Sequence, residues 1–359
     1  MRSLWHRLTR WEFWPFWVFY IPVYPYWLWL SMKARSLAFF TAANPTMEWG
    51  GFVNYSKWNT LRQLPETHRP RTLVVEVQPL SVESMLTHIE RQAFAFPLVL
   101  KPDMGERGLG VAIVQTAADL IHHLERWHSV CPTWLIQEFV DAPLEFGVMY
   151  HRLPGHTHGS VTSVVQKQVP LLRGDGHSSL ATLLATHPRA KLQLELWRDV
   201  HQARLDWVPT QEEPVPLGQI GNHCRGAIFL DGNALINTAL TQVFDQLSQH
   251  VPGFYIGRYD VKAASLDALY TGQGLTVLEL NGANSEPAHI YDPDMPLLQA
   301  YRHLFRHWRM LYRISVLNHR RGVPYTSALA LLRQIRQHLA LTPPSAPQAA
   351  PITPAYATS

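Results

Sequence analysis

Two apolar, strand-length stretches late in the chain, YIGRYDVKAAS (255–265) and LTVLELN (275–281), are interrupted by polar residues at alternate positions. Successive side chains of a strand point to opposite faces, so Arg258 and Asp260 share one face while Tyr259 and Val261 take the other. The same rule pairs Glu279 with Asn281 and turns Leu278 and Leu280 to the opposite, buried side. Two adjacent strands of this kind aim Asp260, Glu279 and Asn281 at one point. Three hard oxygen donors suit Mg²⁺, or Mn²⁺ in its place, with water and substrate oxygens completing the shell. Surface charges on edge strands are the weaker alternative, since these polar residues interrupt strongly apolar strands at matching intervals.

The remaining sequence can build a core around such a pair. Of 359 residues 47% are apolar and 16% charged, which excludes disorder over most of the length. Cys131 and Cys224 fit neither a disulfide framework nor a zinc-ligand spacing, and a reducing, cytoplasmic location follows. Residues 1–35 carry +4 and 301–338 carry +8, which leaves 36–300 at −8 for the chain total of +4. Basic residues gathered at the two ends, with an acidic middle, argue against a nucleic-acid partner.

The first 30 residues hold 12 of the chain's 40 aromatics. Residues 13–32 are free of charge and long enough to cross a bilayer, but Pro15, Pro22 and Pro25 each remove a helical hydrogen bond where no water replaces it. A straight transmembrane helix is therefore not expected. Trp and Tyr favour the headgroup region, so residues 1–35 read as an arm lying in the interface of an anionic membrane, on its inner face. Packing on the protein's own surface is the plain alternative. Near the other end, Arg302, Arg306, Arg309, Arg313 and Arg320 fall in a helical stripe about 60° wide, opposite Leu304, Trp308 and Leu311.

Between the ends, apolar runs predict strands at 36–42 (SLAFFTA), 72–78, 96–100, 111–115, 134–140, 146–153, 160–168, 226–232, 253–265 and 275–281. Helices are expected at 57–64, 81–92 and 117–127, giving an α/β (α+β) chain. Residues 342–359, rich in Pro, Ala and Thr, read as a disordered tail.

Lys101 ends one of these strands, and the loop Gly105-Glu106-Arg107-Gly108-Leu109-Gly110 runs straight into the next. Glycines let backbone N–H groups approach an anion closely, so phosphate binding and an ordinary glycine-rich hairpin are both open readings. No Gly-Lys-Ser/Thr follows, so the loop is not a P-loop. Gly50, Gly51, Ser56 and Lys57 follow the first expected strand, where open sheets expose their binding crevice; a substrate contact and a plain strand-to-helix turn are both open there. Asn222, His223 and Arg225 can donate to a carboxylate or phosphate, or form a turn before the strand GAIFL.

In this order the segments resemble the ATP-grasp superfamily of carboxylate-amine ligases over roughly residues 70–296. The resemblance is carried by the Lys-Pro-glycine loop at 96–110, WLIQEFV at 134–140, Lys167, Arg-x-Asp at 258–260 and Glu-x-Asn at 279–281. Their order looks like D-alanine:D-alanine ligases. LLRGDGHSSLATLL (171–184) and GNHCRGA (221–227) look more like cyanophycin synthetase and the ligases that add glutamate to a ribosomal protein.

The resemblance implies an ATP-grasp fold, divided into an N-terminal α/β subdomain at 36–93, a central subdomain at 94–165 and a C-terminal subdomain at 166–297; the aromatic arm at 1–35 and the basic helical extension at 298–341 flank it. It also implies that ATP lies between two small sheets. Lys101 and Lys167 would hold the α and β phosphates, and Gly105, Arg107, Gly108 and Gly110 would close over the β and γ phosphates. Gln137, Glu138, Phe139 and Val140 would line the adenine, and Glu145 would bind the ribose. Asp260, Glu279 and Asn281 would hold the metal ions, with Arg258 facing the transferring phosphoryl group or the acyl intermediate. The loop of Asn222, His223 and Arg225 would lie close to the phosphate end of ATP.

Two departures remove D-alanine specificity from what is implied. Lys167 is followed by Gln-Val-Pro, and Ser285 and Glu286 stand where those ligases carry glycine and threonine; Ser285 remains a candidate substrate contact. The implied activity joins a small-molecule or lipid-linked carboxylate to an amine through an acyl phosphate. A phosphotransferase on the same fold and a membrane-associated nucleotide-binding module are the alternatives.

Overall fold

The computed structural model describes residues 11–76, 82–105, 108–127, 131–218, 221 and 226–341. Their contacts divide into two units, one built from 15–166 and 230–341, the other from 11–14 and 167–229. In chain order the elements are α1 (Phe16–Phe19), α2 (Val23–Ala34), α3 (Lys57–Leu61), β1 (Thr72–Glu76), α4 (Val82–Arg91), β2 (Leu98–Pro102), β3 (Ala112–Val114), α5 (Ala117–Trp127), β4 (Thr133–Glu138), β5 (Leu144–His151) and β6 (Ser160–Gln168). Then come β7 (Leu171–Arg173), α6 (Leu180–Thr186), α7 (Leu194–Val200), β8 (Pro214–Pro216), β9 (Ile228–Asp231), α8 (Thr238–Gln249), β10 (Ile256–Ala263), α9 (Leu266–Thr271), β11 (Leu275–Asn281), α10 (Leu297–Arg320) and α11 (Ala328–Leu341).

The chain is α+β. One sheet has the order β1-β4-β2-β3 and another β11-β10-β5-β6-β9. The β1–β4, β2–β4, β2–β3, β5–β10 and β10–β11 pairs are antiparallel. On the inner face of the second sheet Phe146, Val148, Tyr150, Tyr259 and Val261 follow the period of two and pack with Leu240 and Phe244 of α8 and Leu269 of α9. That apolar anchoring fixes the register and leaves the opposite face to Arg258 and Asp260.

The expected strand at 36–42 is not there. Phe39–Ala42 forms a 3₁₀ turn with all four residues buried. Its carbonyl needs are met by a side chain: Asn318 Nδ2 donates to Ala42 O at 2.9 Å and to Ala43 O at 3.1 Å. Phe39 and Phe40 meet Trp308 of α10 edge-on. A short apolar run reads alike as a buried strand or a buried turn, and packing against α10 decided it.

The prolines of the aromatic arm begin helices. Pro15 and Pro22 are the N-caps of α1 and α2, and Pro25 lies in the first turn of α2, where its missing N–H breaks no intrahelical bond. No described helix is long and apolar enough to cross a membrane. The arm packs in part on the protein's own surface, with Phe19, Val23 and Leu30 buried. In α10 Leu304 and Leu311 are buried and Trp308 half-buried, while all five arginines of the predicted stripe are exposed.

In the smaller unit, Leu172, Leu180, Leu184, Trp197, Val215 and Leu217 form a core of their own. Glu12 joins that unit through two bonds from Arg189, each 3.1 Å.

Candidate functional site

The β10–β11 ladder places Arg258 opposite Asn281 and Asp260 opposite Glu279, then skips Leu278 and resumes at Val261 opposite Val277. Leu278 is thus the extra residue of a bulge. It is half-buried, unlike Leu280, which sits in the core, so the expectation that both leucines turn inward is corrected for Leu278. The bulge leaves the Leu278 carbonyl outside the ladder. Lys101 Nζ, at the end of β2, donates to it at 2.8 Å, and so the two sheets of the larger unit meet.

The predicted polar face is assembled around Asp260. Arg258 donates from Nε to Oδ1 at 3.1 Å and from Nη2 to Oδ2 at 3.3 Å, and Asn281 Nδ2 donates to Oδ2 at 2.9 Å. Tyr55, buried in the core, donates its hydroxyl to Asn281 Oδ1 at 2.9 Å and so fixes which way that amide points. Burial alone would lower the Arg258 guanidinium; the bonded Asp260 carboxylate more than offsets this and holds it raised. Room for the pair comes from Gly147 of β5, opposite Asp260. A Cβ at that glycine would lie 3.2 Å from Arg258 Cδ and 3.3 Å from Asp260 Oδ1.

Lys101 is buried, which pushes its amine down to about 8, with Lys57 adding to the fall and Glu279, Asp260 and Asp103 opposing it. The glycine loop beyond it is held from α3. Lys57 Nζ donates to the carbonyls of Pro102 (3.2 Å), Asp103 (3.3 Å) and Gly105 (2.5 Å), which occupies the three donors of a buried ammonium. The Asp103 carboxylate accepts the Trp58 N–H at 2.8 Å. Gly105, Gly108 and Gly110 all have positive φ, which favours glycine in each place.

On the first sheet Gln137 is buried and donates to Thr72 Oγ1 at 2.9 Å, and Glu138 pairs with Arg71 at 2.6 Å. Lys262 donates to Val140 O at 3.0 Å and lies over the Phe139 ring, and Glu145 stands opposite Lys262 in the ladder. Gly50 and Gly51 are buried, and their carbonyls accept the N–H groups of Ala283 (3.1 Å) and Asn284 (3.2 Å). They cross directly over Gly282, so what they contact is the end of β11, and among the described residues no strand precedes them. Ser56 caps α3 by accepting from Asn59 N. Ser285 donates to Gly282 O at 2.5 Å. Beside it, the Glu286 carboxylate accepts from Tyr291 at 2.7 Å, while its backbone carbonyl lies 3.5 Å from Arg258 Nη1.

Lys167 lies on β6, in the part of that strand assigned to the smaller unit. Arg107, Asn222, His223 and Arg225 lie outside the described residues. Sequence reading missed Tyr55, Asp103, Gly147 and Lys262, and took Glu286 only as a departure from the D-alanine ligases. Only Gly147 carried a signal, a glycine inside an apolar strand, which marks close approach of a neighbour.

Among the described residues no three His, Cys, Asp or Glu side chains gather as a metal site. The donor set nevertheless fits a hard cation. Glu279 is half-buried, its carboxylate accepts no hydrogen bond among the described residues, and it stands opposite Asp260 in the ladder, two residues before Asn281, whose amide oxygen accepts from Tyr55. Two carboxylates and an amide oxygen suit Mg²⁺, which draws its other ligands from water and phosphate.

No family model matches the chain, and no curated protein matches it. Solved structures do. The chain is similar to a bifunctional glutathione synthetase from Pasteurella multocida, at 18% identity and TM-score 0.37, over 71% of this chain and 35% of that one. It is similar to D-alanine--D-alanine ligase from Bacillus anthracis, at 14% identity and TM-score 0.44, over 74% of this chain and 69% of that one. The same enzyme complexed with ATP matches at 13% identity and TM-score 0.40, over 71% and 64%. The chain thus spans about a third of the first protein and about two thirds of the second.

Proposed function

We propose that this protein is an ATP-dependent carboxylate-amine ligase. A carboxylate oxygen of the substrate attacks the γ-phosphorus of ATP and ADP leaves. The amine nitrogen then attacks the acyl carbon, phosphate departs, and the nitrogen gives up a proton as the amide forms. Such transfers need positioning and charge neutralisation more than covalent help from the protein. The observation that carries the reading is the junction of Lys101 with the β11 bulge, beside the Asp260–Glu279 pair. It joins a buried cation for phosphates, a glycine loop whose first residues are bonded by Lys57, and two carboxylates for a divalent ion.

In this reading Lys101 holds the α and β phosphates and the loop 105–110 covers the β and γ phosphates. Gln137, Glu138, Phe139 and Val140 line the adenine, Glu145 binds the ribose, and Arg258 faces the transferring group or the acyl intermediate. Asp260, Glu279 and Asn281 would hold Mg²⁺ or Mn²⁺, which when bound neutralises charge on the phosphates. Lys167, Arg107, Asn222, His223, Arg225 and Ser285 keep the roles that the resemblance assigns to them. The enzyme works on small-molecule or lipid-linked substrates on the cytoplasmic side, close to a membrane.

Isothermal titration with Mg-ATP tests the nucleotide half. Lys101→Ala removes a charge-assisted contact and should weaken binding at least about tenfold. Unchanged affinity in a folded variant would sink the assignment. The ligase half predicts ADP release only when a carboxylate and an amine are both present, and release with a hydroxyl acceptor alone would make the protein a phosphotransferase.

A further inference from the structure

We propose that α1, α2 and the arginine stripe of α10 form one docking surface for an anionic phospholipid bilayer. The inference rests on the membrane part of the reading above and is independent of the ligase chemistry. Its apolar half is the outer side of α1 and α2, where Phe16, Trp17, Ile21, Leu28, Trp29 and Met32 are all exposed, Trp17 to 64% and Met32 to 70%. A water-facing surface of that composition calls for a cover.

The basic half lies on the adjoining helix of the same unit. Arg302, Arg306, Arg309, Arg313 and Arg320 are exposed and none makes an ion pair among the described residues; no Asp or Glu occurs anywhere in 297–341. From first to last they span about 27 Å of helix. Direct contacts make the two halves continuous. The Tyr26 ring meets Phe305 at 4.9 Å, and Lys33 lies 4.5 Å from Trp29 and 5.5 Å from Tyr312. Phe19 stacks on Tyr301 at 5.1 Å, so α1 and α2 run beside α10.

Charge chooses the occupant. A second copy placed by two-fold symmetry would set arginine stripe against arginine stripe with no acid between them. A nucleic acid would accept the arginines but leave Ile21, Leu28 and Met32 in water. A bilayer surface meets both halves, aromatic and aliphatic side chains at the headgroup boundary and arginines on the phosphates. Beneath this surface the buried Phe19 ring lies 6.1 Å from that of Tyr291, whose hydroxyl donates to Glu286.

Removing the arm is a poor test, because Glu12 belongs to the smaller unit and holds Arg189 there. Point variants of the full chain serve better: Trp17→Ser with Met32→Ser on the apolar half, and Arg302→Gln with Arg309→Gln on the basic half. In flotation with phosphatidylcholine vesicles containing phosphatidylglycerol, the parent should rise with the vesicles, less so at high salt and not with phosphatidylcholine alone. Each arginine removed should weaken partitioning about fivefold. The serine pair should abolish the blue shift of tryptophan emission on binding. Both pairs should keep the parent's Mg-ATP affinity, so loss of flotation is separable from failure of the ATP site. Equal recovery in the soluble fraction with and without phosphatidylglycerol overturns the proposal. So does self-association by sedimentation that the serine pair abolishes, or retention on single-stranded DNA in place of vesicles.

Discussion

The missing side chain at Gly147 is what lets the Arg258–Asp260 pair lie against β5. A Cβ there would also come within 2.8 Å of Val165 Cγ1, which is closer than packed atoms stand. Gly147→Val should therefore lower stability by about 1–3 kcal/mol, the usual cost of overpacking, and weaken Mg-ATP binding as Asp260 is displaced. Thermal melting and titration read the two effects, and an unchanged melting temperature would show that the pair has slack. Glu286 makes a second case at this scale. Burial pushes its carboxyl up from 4.5 to about 7, although the Tyr291 hydroxyl pulls it partly back. Between those values the folded protein holds a proton that the unfolded chain has lost, so this contribution to stability is full below pH 4.5 and disappears as pH rises through 7. Glu286→Gln keeps an acceptor for Tyr291 without the ionisation. Its melting temperature relative to the parent should rise between pH 5 and pH 8; a constant difference would contradict the shift. Alternation alone made Arg258, Asp260, Glu279 and Asn281 legible in the sequence. The bulge at Leu278 was not legible, because which residue a ladder skips depends on the partner strand.

Among elements, the strands with a polar face or a glycine boundary were readable, and β6 and β11 match the predicted spans 160–168 and 275–281. The segment at 36–42 was misread because its apolar residues have no period to display, and the side chain that settles its backbone, Asn318, is 276 residues away from Ala42. Its neighbour 48–51 shows how two loops depend on one another. Gly51 has φ +74°, and a Cβ on it would lie 2.7 Å from the Gly282 Cα, just past the Asn281 that ends β11. Neither backbone can withdraw, since Gly50 and Gly51 accept hydrogen bonds from Ala283 and Asn284. Gly51→Ala should cost more than about 2 kcal/mol, combining a left-handed backbone with a backbone clash. Urea denaturation of the variant measures it. A loss of only a few tenths of a kcal/mol would mean that the crossing relaxes and that the end of β11 is held by something else.

At the scale of the whole molecule, a linear reading could not see that the smaller unit draws on both ends of a long sequence interval. Residues around Glu12 looked like part of an aromatic arm, yet Glu12 is buried and bonded twice to Arg189, 177 residues away, with the Arg189 guanidinium over the Phe13 ring. A buried ion pair adds little over a well-packed apolar pair, but breaking one partner away leaves a charge in a low-dielectric site. The chemistry therefore predicts an asymmetric mutant cycle. Arg189→Met alone should cost about 3–5 kcal/mol, while Arg189→Met combined with Glu12→Leu should recover much of that loss. Because the pair lies within the smaller unit, the damage should be local. Limited proteolysis of Arg189→Met should cut first within 167–229, ahead of the larger unit. If the double variant were no more stable than the single one, the two charges would be acting separately, and the tie between the N-terminal segment and this unit would have to rest on Trp11 and Phe13.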